Sequence, residues 1–439
     1  MRDRLADRVE AATSPHRDRY VDFLRVSALA AVVVGHWLIP VFEPVDGTYA
    51  VRFIMTEQPW TQWATWLFQV MPVFFIVGGY AGAVAWTRAR ERGERPEAWA
   101  SARARRLLRP LLPLLVLWVG LVVLGDALGV EGRYLTLASQ SALVASWFIA
   151  VYVVVTVAVP VTLRLDARVG LWLPVALVAL VAVADALAAA GLDEAQWTSF
   201  LWVWFAVHQL GIVWHRRGLP TPAQGALLLL AGLAALSALV GLAGYPVDMV
   251  AEVDGATNAT PPSLAMPALA TAQLGLIALL RAPLERALSR PGIWALVALA
   301  GSRIMTVFLW HMTALVAVAV GLDAAGALPL AAALGWGWWA SRPVWLALCA
   351  AALAVLVVVA GRAERPPRLT PARVPRPVAV AVGALGVAVA LGTLAAGGVH
   401  DPEGPLGLAA WPLAGLVAAL ALLGVLSPAR RGEGGVGAR

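Results

Sequence analysis

The chain has 439 residues, 60% hydrophobic and only 13% charged, with a mean hydropathy of +0.77 and a formal charge of +7. Apolar runs of about 20 residues recur, each long enough to cross about 30 Å of hydrocarbon, which excludes a set of soluble domains and implies one polytopic all-α bundle in a lipid bilayer. The basic excess is arginine scattered between apolar runs, a topology signal rather than a nucleic-acid surface, and the single cysteine, Cys349, excludes an intrachain disulfide and a cysteine metal site.

Residues 1–19 are polar and charged where a signal peptide would begin its apolar core, so a retained cytoplasmic N-terminal segment is expected. Twelve transmembrane helices are expected after it, at 21–41, 66–86, 110–128, 143–163, 169–188, 200–214, 223–243, 263–280, 300–321, 343–361, 377–397 and 405–426. Alternate connections are arginine-rich, from Arg88 to Arg109 through Arg430 and Arg431, while those between carry acids such as Glu43, Asp126, Asp193 and Asp248. That alternation predicts both termini in the cytoplasm, with Arg52, Arg133 and Arg342 as outward exceptions. Trp37, Trp60, Trp63, Trp172 and Trp345 suit interfacial belts.

The first span carries Arg25 and His36, eleven residues apart. Eleven steps of about 100° bring both side chains to one helix face, about 16 Å apart along the axis. Ionisable groups in hydrocarbon cost roughly 2.5 kcal/mol or more and usually face a bundle interior or a wet cavity, so these two are the first candidate catalytic residues. Asp22, three residues before Arg25, is placed to hold the guanidinium by a charge-assisted hydrogen bond. Further along, Gly78 and Gly79, behind Pro72 and before Tyr80, permit close helix approach or a local break, which makes Gly79 and Tyr80 candidate pocket residues. Arg103, Arg105, Arg106 and Arg109 lead into the third span as forked donors suited to phosphates, although positive-inside topology explains them equally well. Trp147 opens the fourth apolar core, and His208, Arg303 and His311 lie within later apolar segments as candidate pocket residues. A buried Arg303 would need an anionic partner, carbonyls, water or an acidic ligand.

Between Tyr245 and Pro262, Asp248, Glu252, Asp254 and Asn258 form an oxygen-rich outward loop that either binds a polyol or stays solvated, and Asn258-Ala259-Thr260 matches a glycosylation triplet. A Pro- and Arg-rich linker, 362–376, separates a ten-helix unit, 20–361, from two more helices within 377–426, which contain no ionisable side chain in their spans, and from a cytoplasmic tail, 427–439.

The run Val21-Asp22-Phe23-Leu24-Arg25 continuing to Val34-Gly35-His36 resembles the opening helix of acyltransferase family 3, whose signature is an arginine and a histidine so spaced. Val73 to Tyr80, the arginine-rich lead into the third helix, Ser146-Trp147-Phe148 and Leu309-Trp310-His311 resemble its later landmarks, with Gly78 where the family usually has serine and Tyr80 where it has phenylalanine. The resemblance covers about residues 18–361 and implies a ten-helix core with optional additions. It implies O-acylation of a carbohydrate or glycosylated metabolite, with acyl-CoA, acetyl-CoA above all, as co-substrate, no bound cofactor or metal, and a place in a bacterial plasma membrane. On that reading His36 acts on the acceptor hydroxyl as a base or takes the acyl group itself, Arg25 holds the donor or stabilises developing negative charge, and the Arg103 to Arg109 set meets the CoA phosphates. The alternative is a twelve-helix secondary transporter that uses intramembrane His and Arg for coupling, although the halves lack similarity. Oligomeric state is not legible.

Overall fold

The computed structural model describes residues 2–14, 17–45, 48–253, 255–328, 335–363 and 374–426. In chain order, helix α1 (Arg2–Ala12) and the first long helix α2 (Arg19–Leu38) lead to an antiparallel hairpin, β1 (Pro40–Val45) with β2 (Thr48–Phe53). Then come α3 (Ile54–Glu57), α4 (Thr61–Phe68), α5 (Met71–Glu91), α6 (Pro96–Leu108), α7 (Leu111–Ala127), α8 (Gly132–Leu143), α9 (Ser146–Val157), α10 (Val159–Val169) and α11 (Trp172–Ala189). The rest are α12 (Ser199–Arg217), α13 (Pro222–Ala243), α14 (Ala265–Leu288), α15 (Pro291–Ser302), α16 (Ile304–Ala324), α17 (Trp336–Ala363), α18 (Pro377–Gly397) and α19 (Ala410–Leu422).

Among the described residues nine helices, some of them joined pairs, are long and apolar enough to cross a membrane, and a tenth forms if α6 and α7 count as one span bent by 43°. The bend falls at Arg109-Pro110, where proline supplies no amide hydrogen to continue the ladder. Two of the twelve expected spans do not meet that standard. Helix α12 is 19 residues long but carries His208, Gln209, His215, Arg216 and Arg217, and α19 has only 13 residues, about 20 Å at 1.5 Å per residue. The protein is a multi-pass helical membrane protein. The hairpin was not expected, since Val41 read as the end of the first span and Glu43 as part of an outward connection, yet Ile54 donates its amide to the Ile39 carbonyl (2.9 Å) and closes the ladder's open end.

Helix ends follow local chemistry. Asp18 caps α2 by accepting from the Tyr20 and Val21 amides, both at 3.1 Å. Thr221 and Gln224 form a reciprocal capping box at α13 with Pro222 in the first turn, and Gly244 ends that helix at φ 73°, a left-handed conformation open to glycine.

The chain divides into two compact units, Met1–Ala85 with Val159–Ala354, and Trp86–Ala158 with Val355–Arg439. This division differs from the one suggested by the linker at 362–376. In the second unit α18 packs on α9, α8 and α6, and α19 packs on α18. Ser101 Oγ donates to the Leu423 carbonyl (2.7 Å) and Gln140 Nε2 to that of Ala396 (2.6 Å), so the last two helices are built in rather than appended.

In the first unit, α5 and α12 cross at two glycines. A Cβ on Gly79 would lie 2.0 Å from the His208 carbonyl oxygen, and one on Gly211 would lie 1.8 Å from that of Ile76. Phe75 stacks on Trp204 and Tyr80 on Trp214, each at 4.4 Å between ring centres, on either side of the crossing. Buried Asp166 of α10 accepts from Gln209 Nε2 and Arg216 Nη1, both at 2.8 Å, an ion-pair network that the sequence does not announce.

Candidate functional site

Arg25 and His36 both lie on the continuous helix α2, about 20° apart around its axis, between the buried positions Val21, Ala28 and Leu29. Both side chains are half-buried. The expected Asp22–Arg25 pair is not made. Asp22 instead accepts from Arg17 Nε at 2.5 Å, and Arg25 has no hydrogen bond or ion pair among the described residues.

His36 meets His311 of α16. Nδ1 of His36 and Nε2 of His311 are 2.8 Å apart, and the rings are inclined by only 5° with centres 5.1 Å apart, which sets them edge to edge in nearly one plane rather than face to face. The second nitrogen of His311, Nδ1, lies 2.6 Å from the Phe308 carbonyl oxygen. His311 is fully buried. Tryptophans hold the three helices in register, since Trp37 Nε1 donates to the His311 carbonyl (2.9 Å) and Trp345 Nε1 to that of Trp37 (2.7 Å). Trp37 and Trp345 are therefore buried clamps, not interfacial belt residues, whereas Trp60, Trp63 and Trp172 are exposed.

The other candidates fall elsewhere. Gly79 serves the α5–α12 crossing. His208 is buried at the same crossing with Nε2 unpartnered, and no contact joins it to His36 or His311 among the described residues. Tyr80 lines a cavity of about 690 Å³ at the N-terminal end of α2, together with Arg17, Arg19, Tyr20, Arg281 and Ser289. The arginines there are already matched, Arg19 by Glu10 and Arg281 by Asp18 (3.6 Å) and Glu285 (2.8 Å). Arg303 is not buried. It is exposed at the break between α15 and α16, so it needs no buried anionic partner.

Arg103, Arg105, Arg106, Arg109 and Trp147 belong to the second unit. Arg103 lies over the Trp99 ring at 5.4 Å, Arg105 donates to Ser101 Oγ (2.8 Å), and Arg106 is exposed. The arginines that break the loop alternation are answered locally, Arg52 by Glu43 (2.7 Å) and Glu57 (3.3 Å), Arg133 by Glu131 (2.7 Å), and Arg342 by the Trp338 ring at 4.2 Å.

The loop 245–262 exposes Glu252 but buries Asp248 and Asn258. Asp248 is wholly buried, its Oδ1 accepting from the Val250 and Ala251 amides (2.7 and 2.6 Å). Asn258 donates to the Pro246 and Asp248 carbonyls (2.7 and 2.9 Å) and accepts from Ser263 Oγ (2.6 Å). A side chain so committed is not a glycan acceptor. Asp254 lies outside the described residues.

The model of a protein family described as an acyltransferase domain matches residues 18–361, more than three quarters of the chain. The chain belongs to acyltransferase family 3. No curated protein and no solved structure matches it. The acyltransferase-family match takes in α2, α16 and most of α17, hence every residue of the His36–His311 contact, and it includes the second-unit helices α6 to α9. It gives no support to the secondary-transporter alternative. Sequence reasoning found both histidines of this acyltransferase-family protein but not their contact, nor Phe308, Trp37 and Trp345 as its supports. The signal for Phe308 was faint, a residue three before His311 whose carbonyl a histidine can reach within one helical turn.

Proposed function

We propose that this chain is an integral membrane O-acyltransferase of the class that transfers groups other than amino-acyl groups. It moves an acyl group, acetyl above all, from acyl-CoA to a hydroxyl of a carbohydrate or glycosylated metabolite in the plasma membrane of a bacterium. In this reading α12 and α19 complete twelve crossings, and the alternating arginine-rich connections keep both termini in the cytoplasm. One observation carries the proposal: a guanidinium with no ion pair among the described residues and a hydrogen-bonded imidazole project from the same side of the first membrane helix. Groups of that cost persist inside a membrane where they work.

In the base route, an imidazole nitrogen of His36 takes the acceptor hydroxyl proton while the hydroxyl oxygen bonds to the thioester carbonyl carbon. The carbon–sulfur bond then breaks, and the imidazolium returns the proton to the CoA thiolate. In the alternative route the same nitrogen bonds to the carbonyl carbon first and the carbon–sulfur bond breaks to release the CoA thiolate; the acceptor hydroxyl oxygen then takes the acyl group from the acyl-imidazolium, its proton goes to the thiolate, and neutral imidazole returns. Arg25 lies about 16 Å along the helix from His36. A guanidinium cannot close that gap to stabilise the carbonyl oxygen at His36, so its role is to hold the donor. The CoA phosphates are assigned to Arg103, Arg106 and Arg109, forked donors suited to phosphates, with Arg105 beside them bonded to Ser101 Oγ.

The test is turnover of labelled acetyl-CoA by the purified chain in nanodiscs, with and without a glycan extract. His36→Ala and Arg25→Ala should each lower transfer by on the order of 10²–10⁴ while membrane insertion is unchanged. Wild-type turnover in the His36 variant would refute the assignment.

A further inference from the structure

We infer that His311 is a positioning residue that fixes the tautomer of His36, so that the reacting nitrogen is Nε2. The inference rests on His36 being the reacting group, as proposed above. It starts at a backbone carbonyl, which can only accept. Because the Phe308 oxygen lies 2.6 Å from His311 Nδ1, that nitrogen must carry the hydrogen. A neutral His311 then has its lone pair on Nε2, and the 2.8 Å contact requires His36 Nδ1 to donate to it. A neutral His36 with its hydrogen on Nδ1 keeps its free pair on Nε2 alone, and this open nitrogen belongs to the half-exposed ring of the two.

The reverse direction of donation would need a doubly protonated His311. That ring is fully buried, and no carboxylate contacts it or His36 among the described residues. An uncompensated buried cation costs several kcal/mol, far more than a choice of tautomer. The relay runs from His36 Nδ1–H to His311 Nε2, then from His311 Nδ1–H to the Phe308 oxygen. It orients the imidazole as the third member of a catalytic triad does, but with no negative charge. The Trp37 and Trp345 indoles keep α2, α16 and α17 from sliding and so hold the 2.8 Å contact. The pairing serves both routes, since the base and the acyl carrier each need one defined free nitrogen.

The test compares two substitutions of similar volume in the full chain. In His311→Gln the amide oxygen can sit near the position of Nε2 and accept from His36 Nδ1–H, whereas His311→Met offers no comparable acceptor. The Met variant should lose on the order of 10²–10⁴ in kcat with the KM for acetyl-CoA unchanged, and the Gln variant should recover to within about tenfold of wild type. Equal kcat for Met and wild type, or equal losses in two folded variants, overturns the inference. Should the Met variant not fold, nitrogen NMR of the histidine-labelled wild type decides. The ring whose signals vanish in His36→Ala should carry its proton on Nδ1, with a scalar coupling across the N–H···N bond to a second imidazole. A proton on Nε2 at neutral pH overturns it. Failure of the parent reading is separate, because that outcome is full activity of His36→Ala whatever the tautomer.

Discussion

The crossing of α5 and α12 gives the sharpest mechanical prediction. In Gly211→Ala the new Cβ would begin 1.8 Å from the Ile76 carbonyl oxygen and 2.6 Å from the Tyr80 amide nitrogen, where real Cβ atoms essentially never come within 3.0 Å. Both obstacles are backbone, so no rotamer change relieves the clash, and the two helices must part by more than an ångström. Overpacking of this kind costs about 1–3 kcal/mol. The same movement opens the Phe75–Trp204 and Tyr80–Trp214 stacks, each worth about 0.5–1.5 kcal/mol beyond burial. The expected total is about 2–6 kcal/mol. Gly79→Ala, facing the His208 carbonyl at 2.0 Å, should behave alike. Gly35→Ala is the control, because it meets nothing within 4 Å although it adjoins His36, and it should be neutral or gain up to about 1 kcal/mol of helix propensity. Thermal unfolding in detergent, followed by the surviving monodisperse fraction on size exclusion, measures all three. A Gly211 variant as stable as wild type would show that the close crossing is not what holds these helices together.

Asp248 links stability to pH. Burial pushes its carboxyl above the ordinary carboxylate value against the pull of the Val250 and Ala251 amides, so the folded chain keeps a proton that the unfolded chain gives up near pH 4. The stability contributed by the neutral form is complete below that pH and falls as pH rises through the folded value. Asp248→Asn should flatten this slope in melting curves taken between pH 4 and 8, and an unchanged slope would remove Asp248 as its source. Asn258→Ala should cost about 3 kcal/mol, at about 1 kcal/mol for each of its three hydrogen bonds, and expression in a glycosylating host should add no glycan to the wild type. A glycan shift on gels that is lost in the variant would contradict the buried geometry. Arg106→Ala should raise the KM for acetyl-CoA severalfold, while Arg281→Ala, which removes an arginine already matched by Asp18 and Glu285, should leave it near wild type. The opposite ranking would move the phosphates to the cavity beside Tyr80.

Class, helical content and the two outstanding residues of the first span were legible from the chain alone, because apolar run length and a 100° step per residue are local quantities. Arg25 and His36 declare themselves by being costly where they stand, and a regular helix fixes their common face without reference to any neighbour. Partnership is not local. Asp22 looked paired to Arg25 three residues away but turns to Arg17, since the end of a helix offers more directions than its interior. Arg303 looked buried because apolar residues flank it, yet the chain breaks there and leaves it exposed. Asp248 and Asn258, in a loop that by sequence either binds a polyol or stays solvated, are buried, because turns within that loop bring its own amides, carbonyls and the Ser263 hydroxyl onto them, whereas Asp166 meets Gln209 and Arg216 from 43 and 50 positions away. The meeting of His36 with His311 spans 275 positions of sequence. Only the packing of α16 on α2 could decide it, since hydrogen-bond direction and tautomer depend on atoms that approach each other solely in the folded bundle.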